Sequence, residues 1–142
     1  MKKIILITLI LLGLITAQAM GDTLKDEEAM RAFTDRVMTH VAKGDLGGAF
    51  EALKPYVNLS PTEIDAVAVQ SKAQREQYGQ RYGSAIAFEF IDDQKVGQSL
   101  YRLRYIEKTN KHALAWQFYF YKTAEGWTLN TFFWNDMFHK LF

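Results

Sequence analysis

Apolar positions recur along this chain at two different periods, and the change between them divides it in two. From Thr23 to Lys43 the apolar residues Met30, Phe33, Val37 and Val41 fall at steps of three, four and four, which is one face of a helix. The spacing predicts a helix over 23–43 with Thr23 and Asp26 as a capping pair. Asp26, Glu27 and Glu28 crowd its first turn and His40 and Lys43 its last, the signs that suit the helix dipole. Gly44-Asp45 stops it. A second, poorer helix is expected over 46–56: Phe50 and Leu53 are three apart, but Gly47 and Gly48 each cost about 1 kcal/mol against alanine, and Pro55 limits its end. The third helix opens on Ser60, with Pro61 at the first helical position and Glu63 completing a Ser-x-x-Glu capping box. It is expected to run to Tyr78, with Ile64, Val67, Ser71 and Tyr78 on the inner side.

Past Gly79 and Gly83 the period becomes two, and four strands are expected over 84–91, 98–107, 111–122 and 126–135, joined by short polar connections at 92–97, 108–110 and 123–125. Asp92-Asp93, adjacent acids before Gly97, are read there as turn formers rather than as a metal pair. Three helices followed by an antiparallel meander make an α+β domain with the helices on one face of the sheet. Alternation sorts the faces. Ile86, Phe88 and Phe90 on the first strand, Tyr101, Leu103 and Tyr105 on the second, and Leu114, Trp116, Phe118 and Phe120 on the third form the helix-facing set. Glu89, Arg102, Arg104, Ala113, Ala115, Gln117, Tyr119 and Tyr121 take the other face. On the last strand Trp127 and Leu129 are out of phase with Phe132 and Trp134. One extra residue at Asn130-Thr131, a β-bulge, brings all four to the same side.

The N-terminus changes the picture of where this domain works. Lys2 and Lys3 precede a twelve-residue apolar run, Ile4 to Ile15, and then Ala17-Gln18-Ala19, the small-x-small pattern cut by signal peptidases. The run is shorter than the roughly 20 residues that a membrane-spanning helix requires. An export signal over 1–19 and one domain over 20–142 are therefore expected, with no stable membrane anchor after cleavage and a periplasmic or secreted destination. There is no cysteine, so neither a lipid-modified cysteine anchor nor a disulfide is available. The signal holds two lysines and no acid. The rest then carries 17 − 2 = 15 basic and 16 acidic side chains, a formal charge of −1. That balance argues against a nucleic-acid partner, since such proteins concentrate Lys and Arg.

The glycine-bounded entry to a long meander, together with Phe120-Tyr121-Lys122, Gly126-Trp127-x-Leu129 and Phe132-x-Trp134-x-Asp136, resembles the cone-shaped NTF2-like superfamily, especially its small exported members of unassigned function. The resemblance implies a curved sheet wrapped around helices with a pocket at the cone's mouth, and dimerisation through the sheet. It admits isomerases, dehydratases and plain binding domains alike. The acid/base pair of ketosteroid isomerase-like members has no motif that maps onto these residues.

Candidate chemistry is sparse. His40, His112 and His139 lack metal-ligand spacing, no G-x-S-x-G turn is present, and no catalytic residue, metal or cofactor is assigned. Tyr101, Tyr105, Trp116, Trp127 and Trp134 are candidate lining for an apolar ligand pocket, where an indole N–H or phenol can orient a ligand; the competing reading is core packing. Arg102, Arg104, Gln117, Tyr119 and Tyr121 are candidates for a homodimer interface or an anion-binding surface, against an ordinary solvated face. The leading functional expectation is an exported, non-enzymatic module that binds a small apolar ligand or a protein partner. A small enzyme of the SnoaL or ketosteroid isomerase type, or a structural component of an envelope assembly, are the alternatives. An enzyme requires a titratable group at the cone's mouth, whereas a structural component requires a filled cone and an apolar outer face.

The exported protein is expected to begin at Met20. N-terminal sequencing of periplasmic or medium fractions checks this, and material that still begins at Met1 contradicts it.

Overall fold

The structure, a computed structural model, describes residues 21–142; the expected export signal lies outside the described residues. Helices α1 (Glu27–Ala42), α2 (Leu46–Leu53) and α3 (Pro61–Gln77) are followed by a single turn, α4 (Gly79–Tyr82). Strands β1 (Ala85–Val96), β2 (Leu100–Thr109), β3 (Ala113–Lys122) and β4 (Trp127–Asn135) come next, and a closing 3-10 turn spans Phe138–Leu141. The strands form one antiparallel sheet in sequence order, so the expected α+β architecture of helices on a four-stranded meander is the observed one.

Local chemistry explains most boundaries. Ser60 and Glu63 form the reciprocal capping box that opens α3, and Gly44, at φ 74°, ends α1 in the left-handed region that glycine enters at low cost. The first helix starts later than its sequence suggests. Asp26, not Thr23, is its N-cap and accepts the Ala29 N–H at 2.8 Å. Residues 23–25 are held extended instead, because Leu24 exchanges two 2.8 Å backbone hydrogen bonds with Trp127. Likewise α2 stops at Leu53, since the backbone at Tyr56 and Asn58 pairs with Leu129. These two segments satisfy part of the open edge of β4, which is otherwise exposed to pairing with other chains. The close approach also explains Gly126, where a Cβ atom would stand 2.9 Å from the Leu24 carbonyl oxygen.

Cross-strand register reveals three irregularities. Tyr119 faces Thr131 while Phe120 faces Leu129, so Asn130 is the extra residue, at the position where the phase of the aromatics demanded one. Trp127 and Leu129 are buried; Phe132 packs edge-on against Phe50 at 5.7 Å, and Trp134 stacks on Trp116 at 6.4 Å. The other two shifts, at Ile86 and Ile91 on β1, had no signal in the alternation. Ile86, expected inside with Phe88 and Phe90, is exposed at the first shift. Nor do Asp92 and Asp93 form a turn. β1 continues through them to Val96, and the extra residue at Ile91 puts Asp92 opposite Arg104 and Asp93 opposite Leu103.

The core fills the space between the helices and the inner sheet face. α1 contributes Met30, Phe33, Val37, Met38 and Val41, and α2 Phe50 and Leu53, against Leu103, Tyr105, Trp116, Phe118 and Phe120. At one end of the outer face the 3-10 turn packs on β3, where Ala113 and Ala115 leave room for it, and Ala115 is buried as a result.

Deleting Asn130 would turn either Trp127 and Leu129 or Phe132 and Trp134 outward. At about 1.5–3 kcal/mol for each large apolar side chain, the expected loss is about 3–6 kcal/mol, a large share of a small domain's stability. Guanidinium unfolding checks this, and an unchanged midpoint contradicts it.

Candidate functional site

The inner face carries a carboxylate that sequence reading left on a strand end. Glu107 is fully buried and in phase with Tyr101, Leu103 and Tyr105. Its oxygens are held by both terminal nitrogens of Arg75 on α3, one contact being 2.8 Å, and by the indole N–H of Trp116 at 2.8 Å. The Arg75 guanidinium lies 5.0 Å from the ring centre of Trp134, whose own N–H donates to Ser71 at 3.2 Å. A buried acid is tolerated where charge and hydrogen bonds are both matched. Here three donors occupy the two oxygens, which makes Glu107 a fastener between α3 and the sheet. The available signal was its odd-numbered position after Tyr101, Leu103 and Tyr105.

A second polar group lies under α1. The Tyr105 hydroxyl donates to Asp35 at 2.8 Å and meets the Thr34 hydroxyl at 2.6 Å, while Arg31 donates to Asp35 at 2.9 Å and rests 3.4 Å above the Phe90 ring. The Thr34 hydroxyl also lies 3.0 Å from the Met30 carbonyl oxygen, so its one proton is shared between that acceptor and Tyr105. Burial, and then Asp35, push the Tyr105 phenol above the ordinary tyrosine range; Tyr101, hydrogen-bonded to Asp93, is raised for the same reasons. Both phenols are thus neutral donors. At the opposite end Tyr82 donates to Asp136 at 3.1 Å and stacks on His112 at 5.3 Å, with burial the main cause of its raised proton affinity. His40 pairs with Asp45, the N-cap of α2, at 2.8 Å. Among the described residues no group of three or more His, Cys, Asp or Glu side chains could hold a metal, and no helix is long and apolar enough to cross a membrane.

The five candidate pocket aromatics do not surround one cavity. Tyr105 and Trp116 have no exposed surface. Trp127 borders a charged depression with Lys25, Glu28 and Lys95, Tyr101 borders a different groove, and Trp134 covers Arg75 and Ser71. The candidate surface residues do share a face: Arg102 stands opposite Tyr119, Arg104 opposite Gln117, and Tyr121 opposite Leu100. Register and cross-strand contacts there treat the two arginines differently. Arg104 makes a two-point contact with Asp92, one distance being 2.6 Å, whereas Arg102 makes no ion pair and no hydrogen bond among the described residues, and its Nε–H is shut off from solvent. Tyr119 donates to Gln117 at 2.7 Å and stacks on Phe133 at 5.8 Å. A groove of about 290 Å³ runs across this face past Gln94, Val96, Leu100, Arg102, Tyr119 and Thr131. A wider cleft of about 480 Å³ lies between the α1–α2 junction and α3, beside Asp45, Lys72 and Arg75.

Arg104 hydrogen bonds hold the Asp92 carboxyl below the usual carboxylate range, with partial burial opposing them. A carboxylate shifted this way adds stability above its unfolded value of about 3.9 and loses it as pH falls through the folded value. Arg104→Gln is therefore expected to be less stable than the parent at neutral pH, with the gap closing below about pH 4. Unfolding midpoints across that range check this, and a gap independent of pH contradicts it.

No protein-family model matches the sequence, and no curated protein matches it. Solved structures do. A domain of unknown function with a cystatin-like fold from Nostoc punctiforme PCC 73102 is similar at a TM-score of 0.51 and 14% identity, over 82% of each chain. An NTF2-like protein of unknown function from Shewanella oneidensis MR-1 is similar at 0.43 and 12%, over 75% of this chain and 96% of that one. A Campylobacter jejuni protein described as a candidate NTF2-like transpeptidase is similar at 0.44 and 16%, over 74% and 96%. At these identities the likeness is one of fold alone. With three helices packed on a four-stranded antiparallel meander, this chain shares the cystatin-like fold of the Nostoc domain.

Proposed function

We propose that this chain is an exported, non-enzymatic binding module whose working surface is the outer face of its sheet, and that this face associates with a second copy of the chain. The observation that carries the reading is a patch of four large apolar side chains on that face, Val96, Leu100, Tyr121 and Phe133, each between 41% and 56% exposed. Cross-strand register sets Val96, Leu100 and Tyr121 in one row, and Phe133 joins them through its stack on Tyr119. Contiguous exposed apolar surface of this kind marks interaction sites. Tyrosine and arginine beside it, Tyr119, Arg102 and Arg104, are the residue types enriched at such contacts. A two-fold contact uses one patch twice and so needs no separate partner surface.

The interior supports the same reading from the other side. Of the aromatics that could have lined a pocket, Tyr105 and Trp116 are fully buried and the other three surround no common cavity, and the fully buried carboxylate of Glu107 is engaged by Arg75 and Trp116. A general base needs a free oxygen within reach of its substrate, and Glu107 offers neither.

Sedimentation of the purified protein tests this. Association is expected at micromolar concentration, and Tyr121→Ala is expected to weaken it by about 1–3 kcal/mol, the range of interface hot spots, with the unfolding midpoint nearly unchanged. A monomer at high micromolar concentration overturns the reading.

A further inference from the structure

We propose that the groove beside Arg102 on the outer sheet face is a binding site for a small monocarboxylate with a short apolar body. The two arginines of this face are unequal. Arg104 is neutralised by Asp92 in the neighbouring row, while Arg102, between Gln94 and Tyr119 in its own row, has no carboxylate within ion-pairing distance among the described residues. Its Nε–H is enclosed and donates to nothing among the described residues. With that nitrogen closed off, the charge is available at the two terminal nitrogens, which meet no acceptor among the described residues, and a bound anion supplies one.

The surroundings select the kind of anion. Two guanidinium groups and one carboxylate, Asp92, leave this part of the face with one uncompensated positive charge, which matches a single negative charge rather than the nearly two of a phosphate group at neutral pH. The planar fork of an arginine fits the two oxygens of a carboxylate. Val96, Leu100 and Tyr119 supply apolar wall for a hydrocarbon body, and the volume of about 290 Å³ suits a molecule of few atoms. The extra residue on β4 belongs to the same place: Asn130 leaves the ladder at the groove and, with Thr131 and Gln94, adds neutral polar groups that bring no competing charge. Bulges commonly re-aim side chains next to binding sites.

The groove is complete in one copy of the chain, so the inference does not rest on association. Titration of the purified protein with hexanoate, followed by amide chemical shifts, tests it. Saturable shifts at Gln94, Arg102, Tyr119 and Thr131 are expected, with a dissociation constant on the order of 1 mM, as suits a ligand of so few atoms. Arg102→Gln is expected to weaken binding by about tenfold or more, and hexanamide to bind about tenfold less tightly than hexanoate, since each removes the charge-assisted contact. Arg102→Lys keeps the charge but not the fork, and is expected to fall between. Tyr121→Ala is expected to weaken association and to bind hexanoate at least as tightly as the parent, because a second copy and the ligand compete for Val96 and Leu100, which separates the two proposals. Absence of saturable shifts, equal affinity in a folded Arg102→Gln, or inorganic phosphate binding as tightly as hexanoate would each overturn it.

Discussion

A pleated strand has only two sides, and a one-residue slip exchanges them. The rest of this structure depends on that constraint, because the helices can cover only one side of the sheet. Three extra residues reset which side a strand presents: Asn130 on β4, and Ile86 and Ile91 on β1. Asn130 joins Trp127 and Leu129 to Phe132 and Trp134. Ile91 works in the other direction, turning Asp92 outward where Arg104 meets it. The same device that completes the core therefore also sets the charges of the outer face.

Inside, the same economy governs polar groups. Glu107 and Tyr105 are buried on the helix-facing side, and each is matched from a helix, Glu107 by Arg75 of α3 and Tyr105 by Thr34 and Asp35 of α1. An unmatched acid at Glu107 would carry a desolvation penalty of several kcal/mol. Matching it fixes where α3 lies on the sheet, and it withdraws the carboxylate from chemistry. The outer face has the opposite character. Exposed aromatics stand beside one paired and one unpaired arginine, so it is the side on which this fold retains capacity to bind.

Much of this was legible in the amino-acid sequence because it rests on local periods and local hydrogen bonds. The switch from a period near 3.6 to a period of two gave the order of elements; the Ser60–Glu63 box gave the start of α3; and the phase break between Leu129 and Phe132 located the bulge at Asn130. Alternation alone also put Arg102, Arg104, Gln117, Tyr119 and Tyr121 on one face. What only the tertiary structure decided involves partners distant in the chain. Residues 23–25 are extended because Trp127 pairs with Leu24, and Asp92 lies in a strand because Arg104 lies across from it. Whether Tyr105 and Trp116 line a cavity or fill it depends on how closely α1 approaches the sheet, a volume to which every element contributes. Two arginines one residue apart on a strand read as equals. Only cross-strand register, which gives Asp92 to Arg104 and neutral neighbours to Arg102, makes one a structural ion pair and leaves the other unpaired.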